Sequence, residues 1–339
     1  MTTPALHVGG WFDLFLGGTL DNFATLSRHA ATEHARRGQR LIVGPWTHVD
    51  RTGAAGELHF GVLASEQAIQ LEQVQLGFLR SVVQRGQQEP PGPRVRLFVM
   101  GDNVWRDEED WPLRRTRRTP WYLHEGGSLS PSPPKDGAAP SHFTHDPRDP
   151  VPTVGGPTLI GGGPGGGVAW MPGPRDQREV EARPDVLSFT GAELAEDLEV
   201  TGPVSVTLHA ATSAADTDFT AKLVDVWPDG RALCVTDGIV RARYRDGTGR
   251  ANPIEAGQVY EYTIDLIATS QVFKAGHRIR VDIASANFPC FDRNPGDGAP
   301  AATATAENFV TARQTIFHNG ARASHVTLPV IPRTAETRP

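Results

Sequence analysis

The sequence predicts two architectures in series, an α/β unit over residues 1–117 and an all-β unit over residues 118–339. Leu6-His7-Val8 and Leu41-Ile42-Val43 are short runs of the kind buried parallel strands show, with one helix's length of chain between them. From about Pro120 the texture changes to short β-branched and alternating runs separated by turns. A chain of 339 residues is long enough for two units, each with its own core.

Between the first two strands, Leu20, Phe23, Ala24, Leu26, Ser27 and Ala30 recur near helical spacing. Gly17-Gly18 precedes the stretch and Gly38 follows it, which predicts one helix from Thr19 to about Arg36. A right-handed crossover then returns the second strand parallel to the first, so both C-terminal ends open on one rim. A glycine-broken loop spans Arg51 to Gly61. A helical pattern follows from about Leu63 to Arg85 and is stopped by Pro90-Pro91-Gly92-Pro93. Val95 to Met100 reads as a third strand, and Trp105 to Arg118 leads out of the unit.

The second unit offers Trp121-Tyr122-Leu123, Val186 to Phe189, Val204 to Leu208, Thr220 to Val226 and Ala232 to Thr236 as strands. Ile239 to Tyr244, Val259 to Leu266, Arg278 to Ile283 and His325 to Val330 complete the set. Asp-Gly turns such as Asp229-Gly230 and Asp237-Gly238 between such runs predict an antiparallel β-sandwich. Pro131 to Pro140 and Gly155 to Gly167 read as surface loops. A phosphate cradle needs a helix after the glycines, and none follows Gly167.

Composition narrows the function classes. With 38% hydrophobic and 21% charged residues and a net charge of −6, the chain has the makeup of a globular protein. Arg114-Arg115-Thr116-Arg117-Arg118 is a local, solvated cluster, so no nucleic-acid partner is expected. No apolar stretch is long enough to span a bilayer, and Met1 to Leu6 has no signal-peptide pattern. Cys234 and Cys290 lie outside any C-x-x-C spacing and read as buried thiols in a sheet, which together with the missing signal suggests the cytoplasm. His142, His145 and Asp146 lie close in sequence but off any helix, and no metal site is assigned. No dinucleotide, nucleotide or zinc-protease motif is present, so no cofactor is expected.

The chemistry rests on Asp13 and His48, each a few residues past a predicted strand end on the shared rim, where ligands gather in open α/β sheets. A carboxylate that fixes one imidazole nitrogen leaves the other free to take a proton from a hydroxyl. Singly, Asp13 fits a turn residue and His48 a loop residue. Paired on one rim, they read as the acid and base of a serine triad. In α/β-hydrolases the serine precedes both along the chain. No serine here fits G-x-S-x-G. Ser128 and Ser130 come closest but sit on a turn before prolines.

Gly10-Trp11-Phe12-Asp13 and Gly44-Pro45-Trp46-Thr47-His48 resemble the X-Pro dipeptidyl-peptidase, or CocE/NonD, serine hydrolase family. The resemblance continues through Arg94 to Gly101, Trp105-Arg106-Asp107-Glu108, Asp149-Pro150-Val151-Pro152, Arg183-Pro184-Asp185-Val186-Leu187, Asp216-Thr217-Asp218-Phe219, Gly276-His277-Arg278 and Asn287-Phe288-Pro289. It implies the C-terminal part of an α/β-hydrolase sheet followed by a galactose-binding-like jelly roll. Asp13 would be the triad acid and His48 its histidine, with Trp11, Phe12, Phe15, Trp46, Leu159 and Ile160 toward the substrate pocket. Each of these apolar residues also fits core packing, and for all but Phe15 that reading carries at least equal weight.

The family's serine segment is absent from the sequence given, which sets two further expectations. Three hydrolase strands alone would expose an open edge and an apolar face, so the chain would need the N-terminal segment or a complementing chain. The activity implied is cleavage of small ester, amide or X-Pro dipeptidyl bonds through an acyl-enzyme. The competing expectation is a non-catalytic β-sandwich binding module with a vestigial α/β piece.

Overall fold

Strands β1 (Leu6–Phe12) and β2 (Arg40–Thr47) run parallel, pairing Leu6 with Arg40 and Gly10 with Gly44. The computed structural model describes residues 1–84, 90–159, 161–162, 168–299 and 301–332. All eight positions of β2 are buried, the pattern of a strand covered on both faces. The crossover is not one helix but two, α1 (Leu16–His29) and α2 (Glu33–Arg37). The break is set by capping. Ala31 gives its N–H to Met1 O, outside the helix, and the Thr32 hydroxyl accepts from Ala35 N–H with Thr32 in extended backbone. Helix α1 buries Leu16, Leu20 and Phe23, one face at helical spacing.

The expected loop at Arg51–Gly61 contains a small hairpin, β3 (Ala54–Ala55) and β4 (Leu58–His59). Helix α3 (Leu71–Gln84) starts later than the apolar pattern predicts. Val62–Ala64 form a single 3-10 turn, and Gln70 sits at φ +52, which no helix continues through. Strand β5 (Val95–Val99) adds parallel to β2, and β6 (Val104–Glu108) folds back on it antiparallel. The segment expected to lead out is therefore the edge of a four-stranded sheet ordered β1-β2-β5-β6, with β1 at the other edge.

The remainder is mostly strand: β7 (Arg117–His124), β8 (Ser128–Ser130), β9 (Ser141–His145), β10 (Gly161–Gly162) and β11 (Val168–Trp170). After helix α4 (Arg178–Glu181) come β12 (Leu187–Gly191), β13 (Leu198–Thr212), β14 (Asp218–Val226) and β15 (Ala232–Arg241). Strands β16 (Tyr260–Phe273), β17 (Arg278–Ala284), β18 (Ala312–Asn319), β19 (Arg322–Ala323) and β20 (His325–Ile331) complete it. The main path of a twelve-stranded sheet runs β15-β14-β17-β12-β8-β7-β20-β13-β18-β19, with β16 added on β13 and β9 on β18.

Three expectations change here. Ser128 and Ser130 lie in a strand rather than a turn. Strands β9 and β18 were not anticipated. The stretches 232–236 and 239–244 are one strand through Arg241, because Asp237-Gly238 continues the ladder instead of turning. Gly238 is there for closeness, since a Cβ on it would sit 2.0 Å from Asp265 O.

One apolar cluster fills the larger sheet, with residues from nearly every strand. Phe219, Ala221 and Leu223 of β14 alternate into it, and burying a side chain of Leu or Phe size contributes about 1.5–3 kcal/mol. The two sheets meet at Met100, whose N–H donates to Ser270 O and whose carbonyl accepts from Val272 N–H. Arg106, bonded to both Glu108 and Glu199, ties the same junction. No helix among the described residues is long and apolar enough to cross a membrane.

Candidate active site

Phe12 pairs with Thr47 across the parallel strands, so Asp13 and His48 leave the sheet side by side. Asp13 sits in a tight turn, with its N–H on Gly10 O and its carbonyl accepting from Leu16 N–H at the start of α1. Its side chain is largely buried, and Oδ1 accepts from Phe15 N–H at 2.9 Å. The next turn is held by a reciprocal pair. Thr47 N–H donates to Asp50 O, and Asp50 N–H to the Thr47 hydroxyl. These two turns bring His48 Nδ1 to 3.2 Å from Asp13 Oδ1 and 3.3 Å from Oδ2.

With Nδ1 turned to the carboxylate, Nε2 is the nitrogen left for chemistry. The two side chains differ in access, 12% exposed for Asp13 and 40% for His48. The Phe15 ring and the imidazole form a T-shaped pair, 5.0 Å between centroids, while Phe15 remains more than half exposed. Asp13, His48 and Phe15 are thus the predicted residues that the fold brings together.

The other apolar candidates go elsewhere. Trp11 and Trp46 are fully buried, each donating its indole N–H to a backbone carbonyl, Phe98 O and Ala64 O respectively. Both are core. Phe12 is also buried and stacked on Phe60. Leu159 is exposed, and Ile160 lies outside the described residues. The Thr47–Asp50 clasp and the Phe15 backbone bond escaped the sequence reading, although Thr-x-x-Asp after a strand is a turn signal that could have revealed the first.

No group of three or more metal-capable side chains occurs among the described residues. His142 Nδ1 lies 3.0 Å from the Thr315 hydroxyl, while burial lowers the proton affinity of His145. Cys234 is buried in β15, where burial pushes its thiol far up; Cys290 is half-buried in a turn rather than a sheet, and both are free. In the arginine cluster, Arg115 is bonded to Glu108, and Arg114 lies 3.6 Å from Asp110.

Residues 91–327 match the model of the X-Pro dipeptidyl-peptidase C-terminal non-catalytic domain, and residues 1–50 that of the X-Pro dipeptidyl-peptidase (S15 family). The chain belongs to the X-Pro dipeptidyl-peptidase family. The S15 match contains both Asp13 and His48. Among its relatives is a protein named cocaine esterase from Rhodococcus sp. (strain MB1 Bresler), 42% identical over 98% of this chain and 57% of that protein. An aminopeptidase from a marine sediment Thaumarchaeota archaeon superposes with a TM-score of 0.85 at 29% identity, covering 98% of this chain and 55% of its own. An α-amino acid ester hydrolase gives a TM-score of 0.83 at 28% identity, covering 96% and 55%. The chain spans about half the length of the curated relatives it matches.

Proposed function

We propose that this chain is the C-terminal part of a serine hydrolase of small ester or amide substrates, working with a nucleophile carried on a segment outside it. The observation that supports the reading most directly is the contact of His48 Nδ1 with the Asp13 carboxylate at the end of two paired parallel strands. In this reading the incoming serine hydroxyl attacks the substrate carbonyl while His48 Nε2 takes its proton. Asp13 holds the imidazole in the required tautomer and stabilises the imidazolium. The proton then passes to the leaving alcohol or amine as the acyl-enzyme forms, and water activated by the same nitrogen releases the acid.

The larger sheet, read as a jelly roll, gives the chain its main core and buttresses the small sheet through Met100 and Arg106. Phe15 is the apolar surface offered next to the base. Substrate is an ester by analogy with the relatives' names, cocaine esterase and α-amino acid ester hydrolase, with amide and X-Pro dipeptidyl bonds as further members of the class. The deciding experiment supplies a seryl-bearing N-terminal segment of a relative to the chain in trans and follows hydrolysis of an activated short-chain ester. Turnover that disappears in His48→Ala supports the reading. A stable complex with no turnover above that of the His48→Ala complex sinks it.

A further inference from the structure

Ile267 of β16 holds a backbone conformation that its side chain makes costly. Its φ of +60 is one of three positive values at non-glycine residues among the described residues, and the other two fall on Gln70 and Asn103, neither of them β-branched. Left-handed backbone brings Cβ against the following carbonyl oxygen, whereas glycine enters that region freely. Strain of this kind persists where the surroundings over-determine it.

The surroundings do so here. Between the pairs Pro203–Ala268 and Ser205–Asp265 the register slips by one residue, so Leu266 and Ile267 bulge against Val204. The Thr236 hydroxyl donates to Leu266 O at 2.7 Å, and the Ile267 N–H to Asp265 Oδ1 at 2.8 Å. Strand β15 fits close behind, with Gly238 against Asp265 O. Held from that side, the Ile267 side chain packs on the core of the smaller sheet and meets the first turn of α1. A Cβ built on Gly17 would lie 3.6 Å from Ile267 Cγ2 and 3.9 Å from Cγ1.

That turn and its cap carry the N–H groups that hold Asp13. Phe15 N–H donates to its carboxylate and Leu16 N–H to its carbonyl. Past Gly17, Leu20, Asp21 and Ala24 border a cavity of about 280 Å³, with Pro203 and Asp265 in its other wall. The support that the larger sheet gives α1 is therefore concentrated at Ile267.

We propose that Ile267 is a positioning residue for Asp13: through Gly17 it fixes the start of α1, and so keeps the carboxylate within hydrogen-bond reach of His48 Nδ1. The catalytic consequence rests on the hydrolase reading, whereas the geometric one does not. Imidazole nitrogen NMR of the full chain reads the His48 tautomer directly, without turnover. In the original chain His48 is expected in the Nδ1–H form that Asp13 selects. Ile267→Gly, which relieves the backbone but removes the prop, is expected to shift it to the Nε2–H form that an unpaired imidazole prefers. Ile267→Val keeps both carbons nearest Gly17 and should leave the tautomer as it was. Ile267→Ala is read in place of the glycine variant should that not fold. In the complemented enzyme the glycine or alanine variant should lower kcat by about 10²-fold with KM little changed. A merely structural Ile267 would lower the melting temperature and leave the tautomer alone. An unmoved tautomer in a folded glycine or alanine variant overturns the proposal, as does the Nε2–H form in the original chain. No turnover in any complemented chain, with the tautomer shifted as expected, would sink the hydrolase reading and leave the positioning of Asp13 standing.

Discussion

Gly10 lies so close to Trp46 that a Cβ on Gly10 would stand 2.2 Å from the Trp46 carbonyl oxygen. The glycine before Asp13 and the tryptophan before His48 are therefore one contact, which sets how near the two turns come. Gly10→Ala must push β1 from β2 and is expected to cost about 1–3 kcal/mol, read by urea denaturation. It should also remove the Asp13–His48 hydrogen bond, visible as a lost low-field imidazole proton. A variant within about 0.5 kcal/mol of the original would show that the strands yield easily.

In the complemented enzyme, Asp13→Asn is expected to lower kcat by about 10⁴ with little effect on stability. The amide keeps the shape of the carboxylate, but it can turn an N–H toward Nδ1 and so favour the wrong tautomer. Steady-state ester hydrolysis measures it. A loss below about tenfold would remove Asp13 from the orienting role.

Phe15→Ala separates binding from chemistry. The ring is 56% exposed, so its removal should change stability by less than about 0.5 kcal/mol. As an apolar surface beside the base it should raise KM for aryl esters more than it lowers kcat. An equal fall in kcat with KM unchanged would instead mean that Phe15 acts by positioning His48.

The dyad was legible because an apolar run ending in a glycine turn states both a buried strand and a polar residue past its end. What stayed hidden depended on partners distant in sequence. The break between α1 and α2 is made by Met1 O and the Thr32 cap, whereas Ala30-Ala31 alone looks helical. Asp237-Gly238 has the composition of a hairpin turn, and the need for glycine against Asp265 O appears only once β16 crosses it. Trp11 and Trp46 fit pocket and core alike in the sequence, because aromatic side chains near a strand end serve either use. Their indole bonds to Phe98 O and Ala64 O decide for the core.

Glu181 of α4 is bonded to Arg280 and sits beside Asp282, whose Oδ1 has no partner among the hydrogen bonds of the described residues. Burial, reinforced by the Asp282 charge, pushes Glu181 up from 4.5 to about 7. A carboxyl raised on folding binds its proton more tightly in the native state. Its contribution to stability is therefore present below about pH 4.5 and is lost as pH rises through about 7. Glu181→Gln, which keeps a neutral side chain of the same shape, should gain stability relative to the original between pH 4.5 and pH 8. Melting temperatures of the two proteins across that range test it, and a constant difference refutes the assignment.

The smaller sheet leaves surface that a complementing segment would cover. Strand β1 is an edge of its sheet, and beside it a groove of about 350 Å³ runs between Leu6, Ile42, Val74 and Phe78. On the same helix Leu79 and Val83 are exposed, and Val62 and Leu63 stand out at 78% and 67%. Scattered apolar residues are ordinary, but several on one helix next to an open edge form a patch that water disfavours. The isolated chain is therefore expected to associate with rising concentration in sedimentation velocity and to bind a hydrophobic dye. Leu79→Glu with Val83→Glu should suppress both effects at little cost in stability, because neither side chain is buried. A monodisperse, dye-silent monomer with a single cooperative melt would show that this surface needs no cover, and would count against the requirement for a second segment.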